Sequence, residues 1–290
     1  MRIGLQINNF TWPGGPKRLA HDIAAIARTA DGGGFDPIGV MDHFFQIGSL
    51  GPPDHDMLES YTTLGYLAAH TQKARLVTVV TGVVYRYPAV LAKAVTTLDV
   101  LSGGRAMLGI GAAWNQEEAR ALGIPFPPLA ERFEWLEDTL ELCTRMWRDD
   151  QSRFAGKRFV FEHPLNRPQS LTRPRPPIMI GGMGEKKTLR LVAKYADACN
   201  LFPTPEVPRK LDVLKAHCDR EKRDYDSIEK TCMFQMDVGD RGENVGKIVE
   251  QLKWLRKLGF TTAIGGVKDL WRIEPLEIVA RDIIPAVKDL

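Results

Sequence analysis

LVTVVTGVVYRYPAVLAKAVTTLDVLSGGRAMLGIG, residues 76–111, contains one full repeat of the fold. Leu76 to Val84 is an apolar run rich in β-branched residues, the pattern of a strand buried on both faces. After Pro88 a helix is expected over Ala89 to Leu101, closed by Ser102-Gly103-Gly104, and Ala106 to Gly111 returns to strand. Strand, helix and strand in close succession form the unit from which parallel sheets are built.

The same alternation extends in both directions. Upstream, strands are predicted at Ile3–Ile7 and Ile38–Met41, with helices over Lys17–Ala30 and Leu58–Thr71. Downstream, strands are predicted at Pro177–Ile180, Ala198–Phe202, Thr231–Val238 and Thr261–Ile264. Their helices are Glu131–Trp147, a segment ending near Tyr195, Pro208–Arg223, Val245–Leu258 and one within Trp271–Val287. Eight strands alternating with eight helices predict an α/β protein with a closed (β/α)8 TIM barrel, one domain over residues 1–290. An open doubly wound sheet would carry a Gly-rich crossover after its first strand, where this chain has Asn8-Asn9-Phe10-Thr11-Trp12-Pro13. Two irregular stretches, Phe44–Asp56 and Arg148–Pro176, are expected as loops over the rim that shape substrate choice.

Composition narrows the function classes. The 290 residues are 44% apolar and 26% charged, which describes a globular chain and not a disordered one. With 39 basic and 36 acidic residues the net charge is +3, no footprint for nucleic acid. No run reaches the roughly 20 apolar residues of a membrane span. The start of the chain lacks the apolar core of a signal peptide, and four separated cysteines form no CxxC pair. A reduced, cytoplasmic protein with buried free thiols is the expectation.

In a barrel, chemistry sits where strands end and the following loops begin. Asp42-His43 is the sharpest pair there: an imidazole on the rim can move a proton near neutral pH. Gly181-Gly182-Met183-Gly184 runs from strand towards helix, with Lys186 and Lys187 following; bare backbone at such a turn suits a phosphate, and a plain tight turn equally. The other histidines have no metal-binding spacing, so no metal is expected. There is no GxSxG elbow and no P-loop. Asp36, Asp54, Asp56 and Glu59 read as solvated acids. The tryptophans read as core, except Trp114, which lies just past a strand end and can line a pocket.

The stretches GVMDHFF (39–45), YPAVLAKAVTTLDVLSGGRAMLGIGAAWNQEE (87–118) and PIMIGGMGEKKTLRLVAKYADACN (177–200) resemble the luciferase-like monooxygenase superfamily, most closely its branch that uses the deazaflavin coenzyme F420. The resemblance implies an F420-dependent oxidoreductase that moves a hydride between the deazaflavin and a small-molecule substrate. An FMN-dependent monooxygenase is the alternative, and a non-catalytic flavin-binding barrel a second one. It implies a catalytic role for His43, and cofactor contacts from Asp42, Thr81, Gly82, Val83 and Asn115. Gly181, Gly182, Met183 and Gly184 would form the phosphate loop. Related proteins carry a non-prolyl cis peptide in the third strand, which the resemblance places at Gly82–Val83. A homodimer is also implied. Two departures argue against a sugar-phosphate dehydrogenase. Ala112 stands where those enzymes have a glutamate proton donor, and Phe44-Phe45-Gln46 follow the histidine where they have a tryptophan.

Overall fold

Every strand of the main sheet is short and buried, so its side chains must find partners on both the inner and the outer face of a curved surface. A computed structural model describes residues 1–290. The chain runs β1 (Arg2–Ile7), α1 (Pro16–Gly32), β2 (Ile38–Val40), α2 (Ser60–Ala69), β3 (Leu76–Thr78), β4 (Thr81–Gly82), α3 (Pro88–Leu101) and β5 (Ala106–Gly111). It continues through α4 (Gln116–Ala121), α5 (Leu129–Trp147), a small hairpin of β6 (Phe154–Ala155) and β7 (Val160–Phe161), β8 (Ile178–Gly181) and α6 (Thr188–Tyr195). Then come β9 (Ala198–Leu201), α7 (Val207–Glu221), β10 (Glu229–Met233), α8 (Val245–Lys257), β11 (Thr262–Gly265), α9 (Glu274–Ile278) and α10 (Ile284–Val287).

All pairings in the main sheet are parallel, in the order β3-β2-β1-β11-β10-β9-β8-β5-β4, and β3 also pairs with β5. That last pairing closes the sheet. The predicted third strand, Leu76–Val84, is interrupted: β3 and β4 are its two halves, with Val79 and Val80 between them outside the ladder. Eight strand positions therefore form a closed (β/α)8 barrel, as predicted.

Two apolar layers result. Val77, Val79, Met107, Met179, Ala198 and Ile264 fill the barrel interior, while a much larger cluster lies between barrel and helices. Backbone crowds the interior at Gly109, where a Cβ would lie 1.9 Å from the Thr78 carbonyl oxygen, so only glycine fits. All four cysteines are free and buried, as expected. No helix is long and apolar enough to cross a membrane.

One loop is not where the sequence suggested. Arg148–Pro176 leads from α5 back to the start of β8 along the outside of the barrel: its hairpin reaches the first turns of α3 and α5, where Phe159 packs on Tyr87 and Trp135 and Arg158 pairs with Glu134 at 2.6 Å. Its second half is strapped to α3: the amides of Leu171 and Thr172 donate to Asp99 Oδ2 at 2.7 and 2.9 Å, and Asn166 Nδ2 donates to Thr96 Oγ1 at 3.1 Å. The reason is topological, since a helix-to-strand connection must return to the strand's N-terminal end.

Candidate active site

A cavity of about 540 Å³ opens at the C-terminal ends of the strands. Its walls are strand ends and the residues that follow them: Gln6 and Asn8 at the end of β1, Asp42 and His43 after β2, Gly111 to Trp114 at the end of β5, Gly181 and Gly182 at the end of β8, Asn200 and Phe202 at the end of β9, and Met233 to Gln235 at the end of β10. Ile47, Ser49 and Leu50 cover one side, so the loop Phe44–Asp56 does border the cavity; no residue of Arg148–Pro176 does.

The floor is built by Val80. A Cβ on Gly111 would lie 3.2 Å from the Val80 side chain, and one on Gly181 would lie 3.0 Å from it. Glycine at these two positions makes room for a valine projecting across three strands. The non-prolyl cis peptide joins Val79 to Val80 and not Gly82 to Val83. Gly82 is held in regular pairing with Gly111, and its N–H donates to Asp42 Oδ2 at 3.2 Å, so the chain departs from the ladder before β4 begins.

His43 is set by a residue that the sequence reading left unassigned. Its Nδ1 lies 2.8 Å from Oε2 of Glu118, a residue of α4 that is 1% exposed. The same carboxylate accepts from the Phe45 amide at 2.9 Å, the Phe44 amide at 2.5 Å and the Tyr85 hydroxyl at 2.6 Å. Burial pushes the Glu118 carboxyl up, but the hydrogen bonds from His43, Tyr85 and Phe45 outweigh it, and the group is held below the usual carboxylate range. An ionised Glu118 assigns the imidazole proton to Nδ1, which leaves Nε2 as the acceptor. Trp114 packs edge-on against the imidazole, with ring centroids 5.4 Å apart. The signal for Glu118 was its spacing: Asn115 caps α4 by accepting from the Glu118 amide at 3.3 Å, and one helical turn inward puts Glu118 on the buried face.

The other predicted residues divide by task. Asp42 borders the cavity, yet its oxygens are engaged by Arg86 Nη1 at 2.7 and 2.9 Å, by Ser60 Oγ at 2.7 Å and by Gly82 N. Arg86 also pairs with Glu59, and its guanidinium lies 4.7 Å from the centre of the Tyr61 ring. Glu59 is thus no free solvated acid: it caps α2 through Tyr61 N and Thr62 N and anchors Arg86. Asp36 likewise pairs with Arg75 at 2.9 Å. Thr81 and Gly82 line the cavity, with Thr81 Oγ1 2.9 Å from the Tyr61 hydroxyl. Val83, Asn115, Met183 and Gly184 do not line it: Val83 is buried in the core, and Asn115 is a helix cap. Trp114 borders the cavity as expected, whereas Trp254 is half-exposed on α8 and not core.

Polar groups remain unused inside. Asn8 is 7% exposed and its side-chain amide bonds to nothing within the chain; Asn200 spends only Nδ2, on Thr231 Oγ1 at 2.8 Å. In the loop after β8 the amides of Met183 and Gly184 donate to no carbonyl, while the Gly182 amide donates to Asn200 O at 3.0 Å. Gly182 has φ +127°, a conformation that favours glycine. No cluster of His, Cys, Asp and Glu suited to a metal ion is present.

The family model described as luciferase-like monooxygenase matches residues 1–266. An uncharacterized protein of Mycobacterium tuberculosis is 30% identical over 187 residues, 60% of this chain and 65% of that one. An F420-dependent glucose-6-phosphate dehydrogenase of Kineococcus radiotolerans is 32% identical over 179 residues, 60% of this chain and 49% of that one. The match therefore spans about two thirds of the first of these relatives and about half of the second. Among solved structures, an F420-dependent secondary alcohol dehydrogenase in complex with an F420-acetone adduct superposes with a TM-score of 0.83 at 17% identity, covering 99% of this chain and 98% of that one.

Proposed function

The chain belongs to the luciferase-like monooxygenase family, and on that premise we propose that it is a coenzyme F420-dependent oxidoreductase acting on a small organic molecule. The observation that carries this reading is His43, which borders the cavity beside Trp114 and whose Nδ1 is held by buried Glu118, leaving Nε2 uncommitted within the chain. A histidine so oriented can hold or release a proton at Nε2 without turning.

The cavity suits a deazaflavin. Val80 offers a flat apolar floor, and the unpaired side-chain atoms of Asn8 and Asn200 offer donors and acceptors to a ring with a pyrimidine-like edge. The free amides of Met183 and Gly184, just outside the cavity, suit the anionic phosphodiester tail, and Gly181 and Gly182 carry the chain to them. When bound, F420 supplies the hydride chemistry, taking a hydride from a substrate carbon or delivering one to it. His43 accepts the proton released from a hydroxyl as it becomes a carbonyl, or returns it in the reverse direction. Asp42, through Arg86 and Gly82, keeps the wall of β4 in place.

F420 fluorescence titrated with the chain, in parallel with FMN, tests the cofactor. Saturable F420 binding is expected, whereas tight FMN binding with no measurable affinity for F420 would overturn the assignment. His43→Asn should lower turnover at least about 100-fold with F420 affinity retained. A homodimer is the proposed assembly: Tyr87, Val90, Val160 and Leu165 leave an exposed apolar surface by α3 and the hairpin. Light scattering should read twice the 32.5 kDa chain mass.

A further inference from the structure

The charge inventory of the cavity points to what it accepts. Among the 26 residues that line it there is no Lys or Arg, and the single carboxylate, Asp42, is already paired with Arg86. The nearby cations are spent elsewhere. Arg86 is shared between Asp42 and Glu59. Arg132 donates to the carbonyl oxygens of Pro127, Ala112 and Ala113 and stacks over Phe126 at 4.1 Å, on the far side of the backbone after β5. Lys186 and Lys187, the cations expected beside the glycine loop, do not reach the lining.

The loop segments that line the cavity are mostly apolar, Ile47, Leu50, Trp114, Phe202, Pro203 and Phe234, with Ser49 and Gln235 as the neutral polar residues beside them. Trp114 and Phe202 are 64% and 58% exposed, an unusual amount of open aromatic surface to gather at one mouth. An anion placed here would lose its water and meet no countercharge, with the Glu118 carboxylate just behind His43.

We propose that this cavity takes a neutral, largely apolar substrate, bound through one hydroxyl or carbonyl oxygen at His43 with its carbon skeleton against Trp114 and Phe202, and that it excludes phosphorylated and carboxylated compounds. The proposal rests on the oxidoreductase reading above for the reacting oxygen, and on the lining itself for charge and polarity.

The test uses a matched pair, 4-tert-butylcyclohexanol and 4-hydroxycyclohexanecarboxylate, with glucose 6-phosphate as a third probe. Each is titrated into the chain without cofactor, following quenching of tryptophan fluorescence, with Trp114→Phe identifying the signal from the cavity. Each is then offered with oxidised F420, whose loss of absorbance reports turnover. The neutral alcohol should bind at least about 10-fold more tightly than the carboxylate and exceed it about 100-fold in kcat/KM. Phe202→Arg, at an exposed position that tolerates substitution, should narrow that ratio about 10-fold by supplying the missing cation. Equal or tighter binding of the carboxylate or the sugar phosphate overturns the proposal, whatever the cofactor. If F420 does not bind but the neutral alcohol is still preferred in the quenching titration, the cofactor assignment fails and the substrate class stands.

Discussion

Replacing Glu118 with glutamine leaves shape and volume almost unchanged and removes the charge, so it isolates what the carboxylate does. Glu118 accepts from four donors: His43 Nδ1, the amides of Phe44 and Phe45, and the Tyr85 hydroxyl. A glutamine has one acceptor oxygen and an NH2 group, so in either amide orientation one side of the site presents donor to donor. If each oxygen position serves two donors, as the bonds to Oε1 and Oε2 do here, two buried donors lose their partner. An unsatisfied buried donor costs roughly 1–3 kcal/mol, so with two of them Glu118→Gln should destabilise the fold by about 2–6 kcal/mol. Catalysis should suffer separately. The imidazole loses the anion that assigns its proton, and orienting partners of this kind are worth about 10–100-fold in activity. The assay is a urea unfolding curve alongside kcat, KM and F420 affinity for the wild type and the variant. A fall in both stability and kcat, with F420 affinity retained, is expected. Unchanged stability together with unchanged kcat would refute the reasoning, because it would mean the four hydrogen bonds neither hold the loop after β2 nor orient His43.

Three further outcomes follow from other parts of the molecule. Gly109→Ala would set a Cβ 1.9 Å from the Thr78 carbonyl oxygen inside the barrel, and overpacking against backbone should cost about 3 kcal/mol or more, read as loss of soluble protein or a lowered unfolding midpoint. Burial pushes the Glu59 carboxyl up, but hydrogen bonds from Thr62 and Arg86 override it and bring the group down to about 2. Because its folded value is depressed, its contribution is present above the ordinary carboxylate range and disappears as pH falls through that range towards about 2; Glu59→Gln should therefore flatten the acid limb of a stability-versus-pH curve measured by urea unfolding. Burial raises all four thiols, with Cys143, Cys199 and Cys232 pushed up to about 12, so a thiol reagent at neutral pH should label none in the native protein and four in denaturant.

The elements that could be read in advance are those governed by local pattern. β5 was predicted residue for residue, and α3 within one residue, because an apolar run bounded by Pro88 and by Ser102-Gly103-Gly104 leaves few alternatives. The third strand was the exception: Leu76 to Val84 looks continuous in composition, but Val79 and Val80 leave the ladder so that Val80 can fill the space over Gly111 and Gly181. No local signal marks that departure, because its partners lie in two other strands. His43 was legible as a residue on a strand end. Its partner was not, since Glu118 is 75 residues away and resembles any acid in the first turn of a helix. Asp42 and Glu59, 17 positions apart, become one unit only through Arg86.

By itself the sequence determined the alternation of eight strands and eight helices, the closed barrel that this alternation requires, and the end of that barrel where chemistry would gather. These follow from periodicity and from turn residues, which act over a few positions. Tertiary structure alone decided which rim residues face inward, which are consumed in bracing one another, and that no free cation reaches the cavity. Those properties depend on distances between segments remote in the chain, and a one-dimensional pattern holds no record of them until the sheet closes.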